Sequence, residues 1–165
     1  MATVQDIVIT HDIANLNTVA TAHDVAAYIV DKQVSNTHSG IPAMKLQKLV
    51  YYAQAWSLVW DDKPLFSDRI GAWANGPVVP DLYESLYGQF MIVDVKGNPN
   101  VFTDIERDTI DSVLKYYGDK SSQWLTDLVR NEEPWLNARR GVAIGERGDR
   151  VISLAAIAEY YGSLQ

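Results

Sequence analysis

Cysteine is absent from the 165 residues, which removes disulfides, thiolate nucleophiles and cysteine-based zinc sites together. Histidine is nearly as scarce: His11, His23 and His38 are too few and too scattered to form a metal cage. No run of about 18 apolar residues is available to cross a bilayer. Residues 1–20 lack the basic start and apolar block of a secretory signal, so a cytoplasmic protein with no membrane partner is expected. Basic residues are outnumbered, 14 against 21 acids, for a net charge of −7. That balance disfavours nonspecific binding to a phosphate backbone, so direct nucleic-acid binding is not expected. It suits attraction to a basic partner.

What is present is ordinary globular material, 47% apolar and 21% charged, which excludes a wholly disordered chain. The length fits one domain with a core large enough to need no staple. Residues 1–20 are polar and weakly periodic and read as an N-terminal arm, with a short strand at Ile7–Thr10. The domain proper is expected over 21–165. Thr21 and Asp24 form a short-armed capping box, and Ala22, Val25, Ala26 and Ile29 give the first helix an apolar face ending near Val34. A second, aromatic-rich helix follows Pro42, with Leu46, Leu49, Val50, Ala53, Trp56 and Trp60 at helical spacing, and should be central to the core.

A short strand is predicted around Ile70–Trp73, paired with a second at Phe90–Val95, and a turn at Asn75-Gly76-Pro77. Pro80 opens a third helix that Gly88 closes. Thr103 and Glu106 box the start of a helix running to Gly118. A further helix over Ser122–Asn131 is followed by a short turn from Pro134 to Arg140. Residues 141–150 are an exposed loop free to order against a partner, and a last helix, capped by Ser153, covers Leu154–Tyr161. The fold class is therefore mainly α, a compact bundle of about six helices with a small β-hairpin or short strand pair.

Catalytic signatures are thin. No G-x-S-x-G turn presents a serine, and His23 beside Asp24 is better explained by helix capping. Asp61-Asp62 and Glu132-Glu133 are paired acids, read as solvated rather than as a buried acid/base couple. Gly145-Glu146-Arg147-Gly148 lacks the strand and helix that frame a phosphate-cradling loop. No metal, no cofactor and no catalytic residue is assigned. Tyr51 and Tyr52, about 100° apart on one helix, cannot share a narrow stripe, so at least one should be partly exposed. Lys45, Lys48 and Tyr52 share one side of that helix, either as a solvated face or as part of an interface.

Lys45-Leu46-Gln47-Lys48-Leu49-Val50-Tyr51-Tyr52-Ala53-Gln54-Ala55-Trp56 resembles the signature helix of the Panacea-domain antitoxins, the SocA-like and GepA-like phage-associated proteins. The block Ala72-Trp73-Ala74-Asn75-Gly76-Pro77-Val78-Val79-Pro80-Asp81-Leu82-Tyr83 is similar to the family's E-A-W-x-x-G-P-V-x-P-x-x-Y. Pro134-Trp135, Ala138-Arg139 and Ile152-Ser153…Tyr160-Tyr161 continue the resemblance, which covers about residues 21–163. Two departures stand out: Gly71 where an acid is usual before Ala-Trp, and Val129-Arg130 where the family commonly has Thr-His.

The resemblance implies the antitoxin of a type II toxin–antitoxin pair that neutralises a cognate, basic protein toxin by direct binding, with self-association also open. Lys45, Lys48, Tyr52, Trp73, Asn75 and Tyr83 are the candidate toxin-binding or groove residues. Gly76, Pro77, Pro80 and Trp135 are structural members of the motif. A proteolytic adaptor that delivers a toxin to a protease, or a small hydrolase, are the alternatives.

Overall fold

Both capping boxes form. In the computed structural model, which describes residues 20–165, the Thr21 and Thr103 side chains accept from the backbone N–H of Asp24 and Glu106. Each acid answers to its threonine's own N–H. They start α1 (Ala22–Thr37) and a later helix, α4 (Asp104–Tyr117). Helix α1 runs three residues past Val34 because the Thr37 hydroxyl donates to the Gln33 carbonyl at 2.8 Å. His38 then closes it in a left-handed conformation, φ 57°. The strand expected at Ile7–Thr10 lies outside the described residues.

After β1 (Ile41–Pro42), the central helix α2 spans Ala43–Trp60, with Pro42 just outside its first turn. Its first N–H, from Ala43, donates to the Phe90 carbonyl at 2.9 Å. Strand β4 (Met91–Ile92) pairs antiparallel with β1. The segment around Phe90 therefore belongs to the start of α2 and not, as expected, to the strand near Ile70. That strand, β2 (Gly71–Trp73), instead forms a hairpin with β3 (Gly76–Val78) around Ala74-Asn75. Residues 150–152 join its other edge: Ala72 N–H donates to Arg150 O and Ile152 N–H to Ile70 O. Ladders of two or three residues are too short to carry a periodic signal, so their partners are set by the helices they connect.

The remaining helices are α3 (Pro80–Ser85), α5 (Ser122–Arg130), α6 (Glu133–Ala138) and α7 (Leu154–Gly162). The architecture is mainly α with two small two-stranded sheets. The segment read as a turn after Pro134 is a short helix that raises the count to seven among the described residues. None of these helices is long and apolar enough to cross a membrane.

Helix α2 packs against α1, α4, α5, α7, β1 and β3, and is buried on nearly every side rather than along one stripe. Tyr51 and Tyr52 are both fully buried, against the expectation that one would be exposed. Each finds a partner for its hydroxyl that the helix alone does not reveal. Tyr52 stacks on Tyr117, centroids 4.1 Å apart, and donates to Glu132 Oε1 at 2.7 Å. Tyr161 donates to the same oxygen at 2.7 Å, and its hydroxyl lies 3.1 Å from that of Tyr51. With the Tyr161 proton committed to Glu132, Tyr51 is the donor in that pair. Glu132 is thus buried, not solvated; burial raises its pKa, and the two tyrosine hydrogen bonds oppose the rise.

Two glutamines on α2 dock neighbouring segments by imitating a peptide group, with one acceptor and one donor each. Gln47 Oε1 accepts from Val79 N–H at 2.9 Å while its amide donates to Val79 O. Gln54 does the same for Leu65 and Phe66. The first fixes the exit of the hairpin against α2, and this contact positions the site.

Candidate functional site

Gln47 brings the hairpin to the N-terminal half of α2, and a groove with a cavity volume of about 810 Å³ opens between them. Lys48, Trp73, Asn75 and Tyr83, four of the candidate residues, line it. Lys45 and Tyr52 do not. Lys45 is half-buried and donates to the Gly118 carbonyl at 2.6 Å, and burial pulls its ammonium below the ordinary lysine range. Tyr52 belongs to the core. The Lys45–Lys48–Tyr52 row is therefore not a solvated face, because α4 and α5 cover it.

One wall is aromatic. The rings of Trp73 and Tyr83 meet edge to face at 5.0 Å, and Tyr83 meets Tyr87 at 6.0 Å. Arg147 spreads its guanidinium over Trp73 at 4.2 Å and over Tyr83 at 5.2 Å, a doubled cation–π contact. Trp73 rests on Gly71: a Cβ there would lie 2.6 Å from the indole Nε1. Any side chain at this position would push the indole off this seat, so the glycine and the ring position belong together. The rim is exposed and apolar, with Tyr87 75% and Phe90 77% accessible.

The floor is different. Lys48 is only 2% exposed, and its ammonium has a single hydrogen-bond acceptor among the described residues, the Met44 carbonyl of its own helix at 3.4 Å. Burial lowers its pKa to about 8, and the like charge of Arg130 adds to the shift. Gly76 makes room for this side chain. It takes φ 130°, and a Cβ there would come within 3.3 Å of Lys48 Cε and 3.2 Å of Val129 Cγ1. The signature helix and the Gly-Pro turn thus meet at one lysine stem. Pro77 and Pro80 are buried, the former in β3 and the latter as the first residue of α3.

Trp135 and Arg139 brace the hairpin from behind. Trp135 Nε1 donates to Trp73 O at 2.8 Å. The buried Arg139 guanidinium donates to Ala72 O, Arg147 O and Ala143 O, at 3.1, 2.9 and 2.9 Å. Both guanidinium groups of Arg130 and Arg139 also lie over the Trp135 ring. The 141–150 loop is exposed as expected, yet it is already tied to the hairpin without a partner. Arg147, Arg139 and Ser122 are the site residues that sequence reasoning missed. Arg139 had a signal, since it closes the Pro-Trp…Ala-Arg motif. Arg147 and Ser122 had none, because only the folded loop and the start of α5 bring them to the groove.

Elsewhere, His23 Nε2 lies 2.9 Å from Ser85 Oγ. That hydroxyl already donates to Leu82 O, so the ring nitrogen donates and cannot serve as a base toward it. Asp24 is occupied by the N–H groups of Thr21 and Asn98. Among the described residues no three His, Asp or Glu side chains converge as metal ligands. The groove has the make-up of a binding surface: aromatic walls, an apolar rim and few polar groups.

A search of curated proteins found no significant match, and neither did a search of solved structures. The family model described as antitoxin SocA-like, Panacea domain, matches residues 46–136, which hold most of α2, the hairpin, the groove residues from Gln47 to Ser122, and Trp135. With more than half of its length matched, the chain belongs to the SocA-like, Panacea-domain antitoxin family.

Proposed function

We propose that this protein is the antitoxin of a type II pair, binding its cognate toxin directly through the groove between α2 and the hairpin and so covering a surface the toxin needs. The observation that carries the reading is the convergence of both family signature blocks on one apolar-rimmed groove. Interfaces are richest in Tyr, Trp, Phe, Met and Arg, and Trp73, Tyr83, Tyr87, Phe90, Met44 and Arg147 all line it. The net charge of −7 supports a basic toxin, because opposite net charges speed encounter.

The experiment is co-expression. The product of the adjacent open reading frame should stop growth when expressed alone, this chain should restore growth, and the purified pair should co-elute. A neighbour that is harmless alone leaves the assignment without a target.

A further inference from the structure

The groove carries a charge opposite to that of the whole molecule. The chain has 21 acids, yet among the described residues none lines the groove, and the charged residues that do are Lys48 and Arg147. Lys48 is the unusual one. A cation this deeply buried is ordinarily paired with a carboxylate, and among the described residues no salt bridge reaches it. Its contact with Met44 O, at 3.4 Å, is at the weak end of hydrogen bonding. A second polar group in the lining is also unmet: Ser122 Oγ is buried with no hydrogen-bond partner among the described residues. An ammonium with one long hydrogen bond and a hydroxyl with none, walled by Trp73, Val78 and Phe90, describe a receptor for an anion attached to something apolar.

We infer that the groove receives an aspartate or glutamate side chain from a segment of the toxin, its carboxylate on Lys48 and its apolar neighbours against the aromatic wall, with Arg147 at the mouth. This deepens the antitoxin reading and rests on it. It is compatible with a basic toxin, because net charge acts on the approach over a Debye length, about 8 Å in physiological salt. Lys48 acts only at contact. The depressed lysine pKa fits a site whose counter-ion arrives with the partner.

The test titrates the full chain with the toxin identified by the rescue experiment. Lys48→Met and Arg147→Glu should each weaken binding at least tenfold. One Asp→Asn or Glu→Gln change on the toxin should do the same, and combining it with Lys48→Met should cost no more than either change alone. Circular dichroism establishes that the variants fold; Arg147 is exposed, so its variant reads the groove even if Lys48→Met does not fold.

Equal binding by wild type and both variants, or full affinity in every acid-to-amide toxin variant, overturns the inference and leaves the antitoxin reading intact. A loss that follows only the toxin's terminal carboxylate overturns it too, as does a dimer of this chain that Lys48→Met dissociates. A toxin that fails to bind the wild type removes the antitoxin reading itself.

Discussion

The hydroxyl of Tyr52 lies 2.7 Å from Glu132 Oε1, joining the middle of the central helix to the linker between α5 and α6. Because Tyr161 donates to the same oxygen, one carboxylate satisfies two buried phenols. Glu132→Ala should therefore destabilise by about 2–4 kcal/mol, as two buried hydroxyls lose their acceptor. Glu132→Gln keeps an acceptor and should cost less. The folded state holds the Glu132 proton more tightly than the unfolded chain does. Its contribution is thus present at low pH and is lost as pH rises through the folded pKa, so the glutamine variant should gain on wild type in that direction. Urea unfolding across acidic to neutral pH checks both points.

Lys48 should be a stability liability. Its pKa falls from 10.5 to about 8 on folding, so between those values the unfolded chain binds more protons and stability rises with pH. Below pH 8 the full penalty of the buried charge remains. Lys48→Met should stabilise the free protein by about 1–3 kcal/mol at pH 7, and the pH-dependent rise should vanish from the variant. Thermal unfolding from pH 7 to 10, compared between the two proteins, reads this directly.

Gly71 should govern the position of Trp73. Gly71→Ala forces the indole away from the 2.6 Å approach of its Nε1 and so disturbs the contacts with Tyr83 and Arg147. A changed Trp73 fluorescence emission and weaker toxin binding should appear together. Trp56, Trp60, Trp124 and Trp135 report as well, so the comparison is made against Trp73→Phe.

Tyr87→Ala and Phe90→Ala should separate binding from folding. Both side chains are mostly exposed, so stability should stay within about 0.5 kcal/mol of wild type. If the rim anchors the toxin, each should weaken binding about tenfold or more, as interface aromatics do. Calorimetric titration beside thermal unfolding distinguishes the two effects.

Local chemistry was readable and long-range partnership was not. Thr21, Thr103, Ser121 and Ser153 cap helices by contacts within three residues; Thr103 shows as a full box in the sequence and Thr21 as a short-armed one. The apolar stripe of α2 was visible, but its full depth was not. Gln47, Lys48, Tyr52 and Gln54 are polar residues whose burial depends on groups far along the chain. The burial of Glu132 is hidden for the same reason, since its two donors sit on α2 and α7. Of the groove, Lys48 stands out by its place on one side of the helix with Lys45 and Tyr52, and Trp73, Asn75 and Tyr83 by the resemblance to the family's second block, while Arg147 reaches Trp73 only because the later loop folds back.

That return of the loop has a bearing on recognition. Arg139 ties down Ala143 and Arg147 through their carbonyls and holds Ala72 with the same guanidinium. The conformational freedom of the segment is surrendered when the protein folds, and arrival of the toxin does not have to freeze it. Under the proposed toxin binding, a preorganised arm of this kind lowers the ordering cost of association and removes a slow rearrangement from the encounter.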